Sequence, residues 1–191
     1  MPDLDPRLDD DLLAAYAAGD ASAATPLAKR HAPRILAVAT RMLADRIEAE
    51  DVTQDTLLRL WRIAPDWQPG RAQVSTWCYR VAANLCTDRL RKRARTQPLD
   101  ETFDAPGATP SVVHNIHQAQ RQTALEEALQ QLPERQRLAV ILRHIQDLSN
   151  PEIAQTMEIS VEAVESLTAR GRAMLTKLLS PKKEALSHDA P

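Results

Sequence analysis

The sequence predicts an all-α protein of two small helical bundles joined by an extended acidic linker. Only four glycines and 3% aromatic residues are present among 191, while Ala, Leu, Arg, Gln and Glu, which favour helices, are abundant. Helical patterns also stop near residue 95 and resume near residue 121. With 43% hydrophobic and 26% charged residues, the chain has the composition of a globular protein with one or two modest cores.

Three helices are predicted before a proline-containing loop at residues 65–71. The first runs from Asp9 to Gly19, because glycine commonly ends helices. The second is expected to break or bend near Pro33, since proline lacks the amide that a helix interior uses. The third covers residues 45–63. These segments and the next helix form the first predicted bundle.

The stretch Ser75–Arg95 changes character along its length. A buried stripe is predicted in its first half from three- and four-residue spacing, at Val74, Cys78, Val81 and Leu85. Its far end is cationic, with Arg89, Arg91, Lys92, Arg93 and Arg95. The whole chain has a net charge of −2, yet residues 71–95 carry seven basic groups against Asp88. This helix is therefore predicted to be anchored at one end and to face a polyanion at the other.

Residues 96–120 change composition abruptly, with three prolines, three acidic residues and no lysine or arginine. Such a segment is predicted to be a flexible, extended linker. The predicted organisation is a first domain at 1–95, the linker at 96–120, a second domain at 121–180 and a tail at 181–191.

The second domain has the pattern of a helix-turn-helix. Ser149 and Glu152 fit a capping box around Pro151, which tolerates a first-turn position. The short helix that follows ends in a tight turn, and Ser160 is predicted to cap a final long helix. Two short helices followed by a longer one favour a DNA-binding module.

Several kinds of chemistry are not expected. The chain has no glycine-rich phosphate loop and no nucleophile motif, so it is not predicted to be an enzyme or to use a cofactor or a small-molecule substrate. His114 and His117 are too few ligands for a metal site. Cys78 and Cys86, eight residues apart on one helix, are interpreted as small core residues.

The cellular compartment is predicted from what the chain lacks. It has no run of eighteen apolar residues, and aspartates occupy the start where a signal peptide needs a basic and then an apolar segment. A cytoplasmic protein is therefore expected.

The third helix carries a polar stripe at three- and four-residue spacing, formed by Glu48, Asp51, Gln54 and Asp55. From spacing alone the stripe is either a solvated face or a docking surface. Trp67, in the loop that follows this helix, is either packed down or available for stacking.

Three segments together resemble the extracytoplasmic-function class of bacterial sigma-70-type factors. They are AEDVTQDTLLRLWR (49–62), STWCYRVAANLCTDRLRKR (75–93) and LPERQRLAVILRHIQDLSNPEIAQTMEISVEAVESLTARGRAML (132–175). The resemblance covers both bundles. It implies a protein that binds core RNA polymerase and directs it to promoters. It also implies that a cognate anti-sigma factor, membrane-anchored or soluble, holds this protein inactive.

The resemblance also implies roles for individual residues. Contacts to core polymerase would come from Glu48, Asp51, Gln54 and Asp55. Contacts to the minus-10 element would come from Trp67, Arg71, Arg80, Asn84, Arg89, Arg91, Lys92 and Arg93, with a flipped base received by the loop around Trp67. Contacts to the minus-35 element would come from Ser160, Glu162, Ala163, Glu165, Ser166 and Arg170 on the final helix.

The final helix departs from the common family pattern. A Thr-Val-Lys-Ser-Arg run is replaced here by Ala163-Val164-Glu165-Ser166-Leu167, so two basic positions are lost. Glutamate can accept a hydrogen bond from cytosine, but attraction to phosphate is weaker. Two functions stay open at this point: a promoter-recognition subunit, or a sigma-like decoy that binds an anti-sigma factor without binding DNA. The cationic end of Ser75–Arg95 favours the first, because a decoy does not need it.

Overall fold

A computed structural model describes residues 7–96 and 113–188; for residues 113–120 and 181–188 it describes the backbone alone. All the regular structure in these ranges is helical, which confirms the predicted fold class. The α-helices of the described residues are α1 (Asp9–Ala17), α2 (Ala24–Leu43), α3 (Arg46–Ile63), α4 (Val74–Thr96), α5 (Val113–Gln130), α6 (Glu134–His144), α7 (Asn150–Met157) and α8 (Val161–His188).

The boundaries between the first three helices are formed by residues that commonly end or cap helices. Helix α1 ends just before Gly19, whose φ of 101° suits glycine, and the Asp20 carboxylate accepts a hydrogen bond from the Ser22 amide to start a short 3-10 turn. Between α2 and α3, Ala44 adopts a left-handed conformation with φ of 52°. Asp45 then caps α3 by accepting from the Glu48 amide at 3.0 Å.

Helix α2 passes through Pro33 without interruption, so of the two predicted alternatives, a break or a bend, the break is wrong. A proline in a helix interior costs about 3 kcal/mol, because one amide donor is lost and its ring crowds the preceding turn. Burial outweighs that cost here: Ile35, Val38 and Met42 of the same helix are fully or almost fully buried against the rest of the first bundle.

Helix α4 buries a slightly different face from the predicted one. Val74 and Cys78 are buried as predicted, but Val81 and Leu85 are only half-buried. The face that packs inward beyond Cys78 consists of Tyr79, Ala82, Ala83 and Cys86. Small side chains at Ala82, Ala83 and Cys86 let α4 approach its neighbours closely, which apolar size alone could not predict.

Cys78 and Cys86 are both free and buried, as expected of small core residues. Burial raises the pKa of each thiol to about 12, because the thiolate would lose its hydration. Neither side chain is therefore ionised or reactive near neutral pH.

Helix α5 begins within the segment that was predicted to be linker. Residues 97–112 of the predicted linker lie outside the described residues, but α5 starts at Val113, within the segment 96–120 assigned to the linker. The side chains of His114 and His117 lie outside the described part as well. Pro133 separates α5 from α6 and occupies the N-cap position of α6.

The helix-turn-helix is built from α7 and α8. The Ser149–Glu152 capping box is confirmed, since both of its reciprocal hydrogen bonds are present, and the Ser160 hydroxyl accepts from the Ala163 amide at 3.2 Å at the start of α8. Helix α8 packs on α6 through Gly171. A Cβ at this residue would lie 2.6 Å from Cγ2 of Val140, so only glycine permits this close approach.

Candidate polymerase and nucleic-acid interfaces

Three of the residues predicted for minus-10 recognition meet around one cavity. Trp67, Arg71 and Arg80 line an open cavity of about 370 Å³ between the loop after α3 and the side of α4, together with Trp77. Two indole rings and two guanidinium groups thus share one concave surface. Aromatic faces and cations are the groups that bind unstacked bases and their phosphates.

Trp67 is half-buried and is held on two sides. Its indole Nε1–H donates a hydrogen bond to Oδ1 of Asp10 at 2.9 Å, and its ring meets that of Trp77 edge-on, with centroids 6.3 Å apart. The loop tryptophan is therefore neither free in solvent nor part of the deep core.

Two of the predicted DNA-binding arginines of α4 point toward α3. Arg93 forms ion pairs with Glu48 at 3.0 Å and Asp45 at 3.4 Å, and donates to the Leu43 carbonyl. Arg89 donates to the Glu48 carbonyl at 3.1 Å and lies 3.7 Å from a carboxylate oxygen of Asp55. Both side chains are less than a third exposed, so their positive charges act within the first bundle.

The helical period explains this orientation. Ala82, Cys86, Arg89 and Arg93 follow one another at intervals of four, three and four residues, so the two arginines continue the buried face of α4. Asn84, Arg91, Lys92 and Arg95 lie on the other side and are exposed. Arg91 and Lys92 make no ion pair with any described residue.

The predicted polymerase-binding stripe on α3 is divided in the same way. Asp51 and Gln54 are exposed, whereas Glu48 and Asp55 are half-buried against the arginines of α4. The outward side of α3 also carries two exposed apolar residues, Ile47 at 74% and Leu58 at 42% exposure. Residues 47, 51, 54 and 58 follow helical spacing, so an apolar residue stands at each end of a polar pair.

The first turns of α8 place the predicted minus-35 residues mainly outward. Ser160, Glu162, Glu165 and Arg170 are exposed, and Ala163 and Ser166 are half-buried. A hydrogen bond from the Glu162 amide, with a further one from Ser160, lowers the pKa of the Glu162 carboxyl. The only partner of Glu165 among the described hydrogen bonds is the side-chain amide of Asn150, at 3.4 Å.

Side chains from three other helices of the described chain supply hydrogen bonds to the C-terminal end of α2. The last carbonyls of a helix lack partners within it. The Arg41 carbonyl accepts from the Gln130 amide at 2.7 Å, and the Met42 carbonyl accepts from Arg137 at 2.7 Å. Both donors belong to the second bundle, whereas the Leu43 carbonyl accepts from Arg93. Arg137 is 7% exposed, and burial lowers the pKa of its guanidinium.

A second set of contacts joins the bundles beside the loop cavity. The hydroxyl of the buried Tyr79 donates to Oε1 of Gln146 at 2.9 Å, and Arg80 pairs with Glu158 at 3.2 Å. Glu158 lies in the turn between α7 and α8. In the described structure, therefore, the helix-turn-helix covers one end of the surface that includes Arg80.

Sequence reasoning missed several residues of these sites, among them Asp10, Gln130, Arg137 and Glu158. Three of them carried no local signal, because each contacts a partner at least fifty-seven residues away in the chain. Arg137 carried a weak local signal, because the apolar run from Leu138 to Ile141 follows it directly. A charge that is buried with such a run must find polar partners.

Two searches for other kinds of site gave negative results for the described residues. No three His, Cys, Asp or Glu side chains within residues 7–96 and 113–188 are arranged to hold a metal ion. Among the helices in these same ranges, none combines the length and the hydropathy that crossing a membrane requires.

Each of the two bundles matches the model of a known protein family. Residues 27–96 match the family model of sigma-70 region 2, and residues 122–175 match that of sigma-70 region 4. The first match contains the loop cavity and the cationic helix α4, and the second contains the helix-turn-helix.

Two curated relatives of this chain are both ECF sigma factors. The chain is 34% identical over 175 residues to the ECF RNA polymerase sigma factor SigM of Mycobacterium tuberculosis, which covers 91% of this chain and 85% of the relative. It is 32% identical over 167 residues to the ECF RNA polymerase sigma factor SigE of Mycolicibacterium smegmatis, of which it spans 64%. The chain belongs to the ECF sigma factors of the sigma-70 family, as its motifs predicted.

Solved structures of two proteins resemble the whole arrangement. CnrH, in complex with the cytosolic domain of CnrY, aligns with a TM-score of 0.66 at 28% identity over 91% of this chain and 97% of that one. The sigma factor RpoE of Bartonella quintana, in complex with the anti-sigma factor NepR, shares the fold with a TM-score of 0.62 at 23% identity, over 78% of this chain and 91% of that one.

Proposed function

We propose that this protein is an alternative sigma factor: it joins core RNA polymerase, brings it to promoters and starts transcription in the cytoplasm. Membership of the ECF family supports this role for the chain as a whole. The observation that carries it furthest is the continuous surface formed by the loop cavity and the outward face of α4. Its aromatic and cationic groups suit a melted DNA strand, and the role requires no catalytic residue.

The minus-10 contacts would divide by their position on α4. Trp67, Arg71 and Arg80 would receive an unstacked base, while Asn84, Arg91 and Lys92 would track the backbone of the opening strand. Arg89 and Arg93, which face α3, would act indirectly by fixing α4 in place.

Core polymerase would dock on the outward side of α3. Asp51 and Gln54 present the charge and hydrogen-bonding groups, and Ile47 and Leu58 offer apolar area on either side of them. Complementary charge would guide the encounter, and burial of the two apolar side chains would add affinity. Glu48 and Asp55 would support this face from behind through α4.

The minus-35 element would be read by α8. Ser160 and the amides of the first turn suit a phosphate, and Glu162, Ala163, Glu165, Ser166 and Arg170 would face the major groove. With glutamates at two of these positions, this domain would depend on specific base contacts more than on attraction to phosphate.

An anti-sigma factor would act by holding the arrangement in which the second bundle lies against the first. The contacts of Arg137 with α2 and of Glu158 with Arg80 provide a ready closed form for such a partner to stabilise. The resemblance to a sigma factor solved with its anti-sigma factor supports this part of the proposal. The anti-sigma factor could be soluble or anchored in the membrane.

The direct test is reconstitution. Purified full-length protein added to core RNA polymerase should give run-off transcripts from a promoter selected by genome-wide mapping of polymerase bound with this subunit. A variant with Asp51→Arg and Leu58→Glu should fail to join core polymerase but keep its helical circular dichroism. Transcription by the variant at the level of the original protein would contradict the α3 docking face.

The decoy described above is the second candidate, and the acidic start of α8 favours it. A decoy would bind an anti-sigma factor tightly and give no transcript from any mapped promoter. The exposed cations of α4 disfavour the decoy function, because a protein that binds only an anti-sigma factor does not need cations for DNA.

A further inference from the structure

Helix α1 sends two adjacent carboxylates to different parts of the first bundle. Asp9 pairs with Arg30 at 2.6 Å and with His31 at 2.8 Å, both on α2. Asp10 accepts the indole hydrogen bond of Trp67 at 2.9 Å. The helix is therefore fastened to α2 by one residue and holds the loop after α3 by the next.

The position of Asp10 is set by the core and not by the loop. Leu12 and Leu13, on the same helix, are fully buried, and the ring of Tyr16 packs on Trp61 with centroids 5.1 Å apart. Moving Asp10 would require moving these apolar groups out of a packed interior. Asp10 is thus a rigid acceptor to which a loop side chain can attach.

The loop begins with a fixed segment, since Ala64–Asp66 form a short 3-10 helix and Ala64 is buried. Beyond that segment Pro69 and Gly70 interrupt regular structure, and Gly70 has a φ of 79°. Outside the helices, the loop's backbone bonds include a 3.2 Å contact from the Trp67 amide to the Ala64 carbonyl and a 3.3 Å contact from the Arg71 amide to the Gln68 carbonyl. A short hydrogen bond from an indole to a carboxylate is the strongest directional contact that the loop makes.

The Trp67 indole also forms part of the cavity wall beside Trp77, Arg71 and Arg80. A rotation of this ring would change both the width of the cavity and the angle at which an unstacked base could stack. Because Asp10 fixes the edge of the ring, it controls that geometry without lining the cavity itself.

We infer that Asp10 is a positioning residue for promoter recognition, which holds Trp67 so that the loop cavity selects one base of the minus-10 element. This inference rests on the proposed function of the cavity. It also accounts for an acidic N-terminal helix in a DNA-binding protein, since Asp9 and Asp10 turn inward and Asp11 is the exposed acidic residue of the three.

The test compares Asp10→Ala with Asp11→Ala in the full-length protein bound to core polymerase. Both changes remove one negative charge from the first turn of α1, so both alter long-range attraction to DNA and the helix dipole equally. Promoter fragments that support transcription, each with one minus-10 base changed, serve as probes. Discrimination is the ratio of transcription from the original promoter to transcription from a promoter with one minus-10 base changed. Asp10→Ala should reduce this ratio roughly fivefold at one base position, the size expected for losing part of a charged hydrogen bond. Asp11→Ala should leave discrimination unchanged.

Two further variants separate the possible failures. Asp10→Asn keeps a hydrogen-bond acceptor and should restore most of the discrimination, whereas a defect as large as that of Asp10→Ala would contradict the positioning role. Asp10→Asn also serves if Asp10→Ala does not fold. Trp67→Ala should abolish the discrimination altogether.

If Trp67→Ala loses discrimination while Asp10→Ala behaves as Asp11→Ala, the inference about Asp10 is overturned and the proposed function of the cavity stands. If Trp67→Ala retains full discrimination, the proposed function of the cavity fails and the inference fails with it. The indole nitrogen–proton resonance of Trp67 should move in Asp10→Ala and stay in place in Asp11→Ala, which measures the contact independently of DNA.

Discussion

Helices α4 and α8 are the two helices proposed to face DNA, and they manage charge in opposite ways. The cations at the end of α4 are sorted by helical period: Arg89 and Arg93 hold α3, while Arg91 and Lys92 are exposed. Helix α8 begins instead with Glu162 and Glu165. A cationic sequence run is therefore not a measure of DNA-binding charge, because two of its five cations form ion pairs inside the protein.

The largest expected effect concerns an inward cation of α4. Arg93→Ala leaves Glu48 without its ion-pair partner, and one oxygen of that carboxylate is already buried without a hydrogen bond. The free energy of unfolding should fall by about 1.5–2 kcal/mol, discounted for the partial exposure of the pair. Urea denaturation measures it, with Arg91→Ala as the control that should change stability by less than about 0.5 kcal/mol. Equal losses would mean that the two positions do not differ in role.

The outward cations of α4 should give the opposite result. Replacing Arg91 and Lys92 together by Ala should leave stability unchanged and weaken promoter binding roughly tenfold at physiological salt, because two phosphate contacts are lost. The slope of log affinity against log salt should become less steep by about 1.4, the value for two phosphate contacts to a single strand. An unchanged slope, measured by fluorescence anisotropy over a salt series, would refute the phosphate role.

A smaller change is expected at α8. Glu165→Lys should raise the affinity of the full-length protein for DNA of unrelated sequence about fivefold, since an exposed negative charge becomes positive on the side of α8 proposed to face the groove. Glu126→Lys on α5 makes the same change of charge elsewhere on the second bundle and serves as the control. A similar gain from both variants would indicate a general charge effect with no contribution from the position on α8.

The smallest effect concerns the titration of Glu162 at the start of α8. The hydrogen bond from the amide of Glu162 lowers the pKa of its own carboxyl, so its contribution to stability is present above the unfolded pKa and is lost as the pH falls through the folded value. An NMR titration should place the pKa of the Glu162 carboxyl below 4.5, the ordinary value for a glutamate side chain. Ser160→Ala should move this pKa upward, and an unmoved pKa would exclude the cap as a contributor.

The order of the helices could be predicted because each boundary has a local cause. Local residue chemistry predicts a helix end near Gly19 and helix starts at the Ser149–Glu152 capping box and at Ser160. The structure contains all three of these helix boundaries. Pro33 was misjudged because the local penalty is real but the burial that outweighs it depends on the other helices.

The sites were harder to predict than the helices. The register of α4 could not be fixed from its first half, because Val81 is more apolar than Ala82 yet less buried. Whether a cation such as Arg89 faces DNA or α3 follows from that register. The contacts of Asp10 and Arg137 join segments far apart in the chain, and a pattern in one segment cannot reveal its partner in another.

The end of α2 links the thermal behaviour of the two bundles. While Gln130 and Arg137 hold the carbonyls of Arg41 and Met42, melting either bundle would return those acceptors and a buried guanidinium to water. By linkage, each bundle melts at a higher temperature in this arrangement than it would by itself. A substitution that separates the bundles without adding new contacts therefore lowers the melting temperature of both, so a melting curve can report their opening.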